Sequence, residues 1–105
     1  MQDLSLIIPA KYESESLPIF LEEIKKYNCK KIIILEEKDL DTINSIKKFT
    51  DVKIQFQKTN GYGSAIIEGI IATNTKYFCI INADGSMDPI YLENMLQQLQ
   101  NKDID

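Results

Sequence analysis

Histidine and arginine are both missing from this chain of 105 residues. Without histidine it has no imidazole base, no histidine-activated nucleophile and no imidazole metal ligand of its own. Without arginine, all twelve basic residues are lysine. A phosphate held here must therefore rely on backbone N–H groups, lysine or a metal rather than a bidentate guanidinium. Cysteine is scarce: Cys29 and Cys79 lie in or beside apolar runs and form no C-x-x-C pair, the pattern of buried free thiols in a reducing cytoplasm. Glycine and proline are too few for a fibrous or disordered chain. The net charge is −4 and no basic stripe interleaves with aromatics, which argues against nucleic acid as the main partner. The opening "MQDLSLIIPAKYE" has no basic leader, and its apolar run is too short for a signal core or a membrane span. The expectation is a soluble, cytoplasmic chain with no membrane segment.

What is present suits one domain over residues 1–105. Hydrophobic residues make up 44% and charged residues 27%, and a chain of this size buries roughly 60% of its unfolded surface. Four runs have strand length and β-branched or aromatic content: Leu4 to Ala10, Lys30 to Glu36, Val52 to Gln57 and Lys76 to Asn82. The first, second and fourth are nearly continuous apolar runs, as in parallel strands covered on both faces. "VKIQFQ" alternates, as an edge strand with one wet face does.

Helical stripes separate them. Leu17, Phe20, Leu21 and Ile24 mark one, and Leu40, Ile43, Ile46 and Phe49 a second. Ala65 to Ala72 is apolar nearly all round, which predicts a well-buried helix. Leu92, Met95, Leu96 and Leu99 mark a fourth, opened by Asp88 as N-cap and Pro89 at the first helical position. This strict alternation predicts an α/β fold: a doubly wound, mostly parallel four-stranded sheet of order 3-2-1-4 with helices on both faces. Ligands of such sheets sit beyond the carboxyl ends of the strands, at the switch between the first and fourth.

A polar cluster follows every strand: "PAKYE", "EEKD", "KTNGYGS" and "NADGS". In the last, Asn82 and Asp84 place two oxygen ligands at i and i+2, suited to Mg²⁺ or Mn²⁺ beside a diphosphate; the competing reading is a turn before the Asp88 cap. An amide at Asn82 cannot be a phosphatase nucleophile, and an EF-hand register would put apolar Ile80 at the first ligand position. Gly61 and Gly63 allow a close backbone approach at a helix N-terminus, or form a plain loop ending in a Ser64 cap. Glu36 or Glu37 can meet a ribose or base, or be a solvated turn. Tyr12 can stack on a base and Glu13 accept from a hydroxyl, or the segment is an extended entry capped by Ser14 or Ser16; Lys11 reads as a surface lysine.

Taken in order, "LSLIIPAKYESESLP", "IIILEEKDLDT", "NGYGSAIIEGI" and "YFCIINADGSMDP" resemble the nucleotide-binding half of family-2 glycosyltransferases of the GT-A fold, nearest the dolichol- or polyprenyl-phosphate sugar transferase type. The resemblance spans nearly the whole chain. It implies a UDP- or GDP-linked sugar donor, a divalent metal and transfer to an acceptor. Pro9, Ala10, Tyr12 and Glu13 match the segment lining base and ribose, and Glu36 and Glu37 a pair of aspartates of which one contacts the base. Asp41 matches an aspartate that caps or braces that loop, and Gly61, Tyr62 and Gly63 the loop beside the nucleotide. Asn82 and Asp84 match the D-x-D, with Asp84 as metal ligand. Tyr12 stands where the family has Asn, the two glutamates are longer than aspartate, and Asn82 lacks a charge. The resemblance also implies a domain incomplete relative to the family, without the acceptor-side base. The alternative is a catalytically inactive nucleotide-binding or interaction module. The apolar edge of the fourth strand leads to the expectation of a homodimer.

Overall fold

A computed structural model describes residues 4–58, 61–73, 75–82 and 94 of the chain. The elements run β1 (Leu4–Pro9), α1 (Ser16–Ile24), β2 (Lys30–Leu35), α2 (Leu40–Ser45), β3 (Lys53–Phe56), α3 (Tyr62–Ala72) and β4 (Tyr77–Ile80). The fourth helical stripe, with its Asp88 and Pro89, lies outside the described residues, as does Asp84.

All described strand pairs are parallel, in the order β3-β2-β1-β4, as the alternation of strands and helices predicts. β1 is central, pairing Ile8 with Ile33 on one side and Ile7 with Ile80 on the other. Successive residues of β1 serve opposite faces. Leu4, Leu6 and Ile8, with Ile33 and Leu35 of β2, meet Leu17, Phe20, Leu21 and Ile24 of α1, together with Ile46 and Phe49. Ile7, Ile32 and Ile34 meet Ala65 of α3 on the other face. This two-sided covering is why β1 and β2 read as nearly continuous apolar runs.

Two helical expectations are corrected. The second stripe is not one helix: α2 stops at Ser45, and tight turns closed by Ile46 N–H on Ile43 O and Phe49 N–H on Ile46 O carry Ile46 and Phe49 into the core. Leu40 is exposed and Thr42 takes the inward place, because the Thr42 hydroxyl accepts a hydrogen bond from Glu13 N–H. α3 is not buried all round either. Only the side bearing Ala65 and Gly69 packs on the sheet, and Ile67 and Ile71 are exposed. β3 is the expected edge strand, yet Phe56 is partly open to solvent while Val52 and Ile54 pack on the core.

Neither cysteine is in a disulfide, and both are half-buried. Burial pushes the Cys29 thiol up, opposed by the nearby Lys31 ammonium, and burial alone pushes up that of Cys79. Neither is a poised nucleophile. Among the described residues no helix is long and apolar enough to cross a membrane.

Candidate functional site

The strand exits at the carboxyl rim are fixed by hydrogen bonds that extend the sheet ladder. Ala10 N–H donates to Ile34 O at 3.0 Å, Gln57 N–H to Leu35 O at 2.7 Å and Ile81 N–H to Ile7 O at 2.9 Å. The segments after β1, β2, β3 and β4 thus leave the sheet side by side. They enclose an open cavity of about 380 Å³. Pro9, Ala10, Lys11 and Glu13 line it from β1, Ile34 and Glu36 from β2, Gln57 and Gly61 from β3 and the start of α3, and Asn82 from the end of β4.

Of the residues singled out in the sequence, Pro9, Ala10, Glu13, Glu36, Gly61 and Asn82 therefore converge. Tyr12, Glu37 and Gly63 do not line the cavity. The reason at Glu37 is a turn closed by Asp39 N–H on Glu36 O at 3.1 Å, which puts Glu37 and Lys38 at its exposed centre. Gly63 lies in the first turn of α3, open to solvent.

Glu36 is a mostly buried carboxylate of the rim, its side chain 13% exposed. Lys38 approaches one oxygen at 3.5 Å and Lys11 the other at 3.9 Å. Both lysines are more than two-thirds exposed, so these pairs are screened and contribute little to stability. Glu13 is tied into α1: its carboxylate accepts from the Ser16 hydroxyl and its carbonyl from Leu17 N–H. Ser16 is the first residue of α1, and neither it nor Ser14 is the N-cap; Glu15 stands there without a side-chain cap.

The loop after β1 is held from α2. Asp39, 2% exposed, accepts from Tyr12 N–H at 2.7 Å through Oδ2, and Thr42 Oγ1 accepts from Glu13 N–H at 3.0 Å. Bracing thus falls to Asp39, two residues before the Asp41 expected for it; Asp41 is exposed in the first turn of α2. Tyr12 itself adopts φ +54°, with its side chain 65% exposed.

On the β3 side, Gln57 Nε2 donates to Gly61 O at 2.7 Å and Lys58 N–H to Glu68 Oε1 at 2.8 Å. Gly61, rather than Ser64, occupies the N-cap of α3, with φ +107° and ψ 152°. Only glycine adopts that conformation without strain. Gly61→Ala is expected to lower stability by roughly 1–3 kcal/mol, read as a fall in the thermal midpoint. Gln57 and Ala65 are cavity residues that sequence reasoning did not single out, and Lys11, read there as a surface lysine, also lines the cavity; the G-x-G after "KTN" was the available signal for the Gln57 and Ala65 side.

Among the described residues no group of three or more acidic or cysteine side chains is placed to hold a metal. The described carboxylates at the cavity are engaged by lysine or serine, and Asn82 is neutral, so these residues do not themselves form a metal site. A larger groove of about 650 Å³ opens at the opposite end of the sheet, lined by Lys25, Lys26, Lys30, Lys31 and Asp51 among others. Three of these four lysines are explained without a ligand. Lys25 and Lys26 sit at the C-terminus of α1, where cations offset the helix dipole. Lys31 is anchored to Tyr27 O at 2.9 Å, with Asp51 3.8 Å away.

A cavity at the carboxyl rim of a 3-2-1-4 parallel sheet, walled by all four post-strand segments, lies where ligands of open α/β sheets bind. Comparison with known proteins gives the family. The family model for glycosyl transferase family 2 matches residues 5–105. Uncharacterized glycosyltransferases of Mycobacterium bovis and Mycobacterium tuberculosis are each 28% identical over 97 residues, covering 91% of this chain and 43% of the relative. The chain thus spans less than half the length of these curated relatives. With its sheet order, its rim cavity and a family match over nearly its whole length, the chain belongs to glycosyl transferase family 2.

Proposed function

We propose that the cavity binds the nucleotide diphosphate of a UDP- or GDP-linked sugar, making this chain the donor-binding part of a glycosyltransferase. The observation that carries this reading is the meeting of Glu36, Gln57, Asn82 and the start of α3 around one cavity. Pro9, Ala10 and Ile34 form its wall. Glu36 and Glu13 are acceptors for donors on the base and ribose, and Asn82 offers a neutral hydrogen bond to ribose. Lys11 and the N-terminus of α3 suit the diphosphate, because free helix N–H groups and the dipole favour an anion. In the reaction an acceptor hydroxyl or phosphate attacks the anomeric carbon and the nucleoside diphosphate leaves. These residues hold the leaving group in place; the acceptor-side base is assigned to no residue of this chain. The transferase type proposed is that acting on dolichol- or polyprenyl-phosphate, on the strength of the sequence motifs. A cytoplasmic site suits two cysteines that form no disulfide.

Asp84 is the proposed ligand for Mg²⁺ or Mn²⁺, and no step is assigned to the metal. The engagement of Glu36 by two lysines favours a second reading, a metal-independent nucleotide-binding module. Calorimetric titration of UDP and GDP with and without Mn²⁺ separates the two. Binding that needs Mn²⁺ and is lost in Asp84→Ala supports the transferase reading. Binding indifferent to metal supports the module, and no binding of either nucleotide contradicts both. A dimer over β4 belongs to the same proposal, since Phe78 and Ile80 are exposed there; sedimentation as a monomer at high concentration contradicts it.

A further inference from the structure

Two local costs meet on the loop between β1 and α1. Tyr12 is the one non-glycine with positive φ among the described residues, a conformation unfavourable for a bulky side chain. Asp39 is buried, and its Oδ1 has no hydrogen-bond partner, although buried carboxylate oxygens are ordinarily satisfied. A third oddity joins them. Asp39 stands at the N-cap of α2, where an aspartate normally accepts from its own helix, yet it makes no such bond. Its Oδ2 instead accepts from Tyr12 N–H, 27 residues away in sequence. A connection that only had to join β1 to α1 needs none of this. Asparagine or glycine at position 12 would remove the strain, and an aspartate capping its own helix would be better satisfied.

The left-handed residue has a geometric consequence at the cavity. Lys11 and Glu13 both line it, whereas Tyr12 between them turns out to solvent. Thr42 fixes Glu13 N–H from the same turn of α2, so the β2–α2 connection that carries Glu36 also sets the shape of the opposite wall.

We propose that Asp39 is a positioning residue of the site: it holds Tyr12 in its left-handed conformation, and nucleotide affinity depends on that hold. The inference rests on the nucleotide-binding reading above and adds a residue that touches no ligand. Without the Asp39 acceptor, Tyr12 relaxes to negative φ and withdraws Lys11 and Glu13 from the cavity.

The test is a double-mutant cycle read by UDP and GDP affinity on the whole chain, with amide hydrogen exchange as a second readout. Asp39→Ala is expected to weaken binding about tenfold, the size of a loop-ordering cost. Asp39→Asn, which keeps an acceptor oxygen, is expected to stay within about threefold of the parent. In a Tyr12→Gly background, where positive φ carries no strain, Asp39→Ala is expected to cost less than about threefold. The Tyr12 amide should lose protection in Asp39→Ala while those of Ile7 and Ile33 keep theirs. Equal affinity in Asp39→Ala, an equal loss in both backgrounds, or unchanged Tyr12 protection overturns the proposal. Should Asp39→Ala alone fail to fold, the double variant is expected to fold; a double variant equally unfolded counts against it. If the unaltered chain binds neither nucleotide, the functional reading fails, and with it the dependence of affinity on Asp39; the exchange readout then decides the brace alone.

Discussion

Gly69→Val is expected to destabilise the protein by about 3 kcal/mol and to weaken any ligand at the rim cavity at the same time. A Cβ built on Gly69 overlaps Cγ2 of Ile7 and comes within 3.5 Å of the Ile34 side chain. Ile7 is fully buried on the central strand, and its Cγ2 branches from Cβ, so it moves only if the rotamer or backbone does. α3 must therefore lift from the sheet. That opens the small apolar cluster of Ile7, Ile32, Ile34 and Ala65. It also displaces Ala65 and Gly61, which line the cavity. In a domain of this size the loss corresponds to a fall of about 10–20 °C in thermal midpoint. Gly63 is the control on the same helix: an added Cβ there meets nothing within 4 Å, so Gly63→Ala should be neutral or slightly stabilising.

Glu36→Ala is expected to do the reverse, removing binding and sparing the fold. Its lysine partners are exposed and distant, at 3.5 and 3.9 Å, so breaking both pairs should change stability by less than about 1 kcal/mol. A hydrogen bond from a ligand to this charged, mostly buried acceptor is worth roughly 1.5–3 kcal/mol, which corresponds to a loss of about ten- to a hundredfold in UDP or GDP affinity. Glu37→Ala, at the exposed centre of the neighbouring turn, should bind as the parent does. Calorimetry on the three proteins, with melting curves alongside, checks both halves. A Glu37→Ala defect larger than that of Glu36→Ala contradicts the assignment of Glu36 to the cavity.

The parts of the fold that depend on local pattern were legible in the sequence. The nearly continuous apolar runs within Leu4 to Pro9 and Lys30 to Leu35 announce strands covered on both faces, and regular alternation with helices leads to the order 3-2-1-4. The α1 stripe of Leu17, Phe20, Leu21 and Ile24 is wholly buried as its spacing requires. What the sequence hid depends on pairs distant along the chain. Nothing in "EEKDLDT" says that Asp39 rather than Asp41 reaches back to Tyr12, because that bond spans 27 residues. Leu40 and Thr42 exchange inside and outside for the same reason: a hydroxyl was needed opposite Glu13. Ile67 and Ile71 look like core by composition, but a helix laid on a sheet at a glycine buries only one side. The rim clusters pointed to the site because all four follow a strand. Lys11 was read as a surface residue and Gln57 escaped notice, because lysine and glutamine at a strand exit are ordinary surface residues until the ladder bonds set them beside the cavity.

The most direct measurement is an amide chemical-shift titration of the isotope-labelled chain with UDP and GDP. Shifts are expected at Ala10, Lys11, Glu13, Glu36, Gln57, Gly61 and Asn82, the residues that meet at the carboxyl rim, with Lys25 to Lys31 at the far end of the sheet unmoved. Shifts gathered at that lysine groove, or none at saturating nucleotide, would contradict a nucleotide-binding site at the rim.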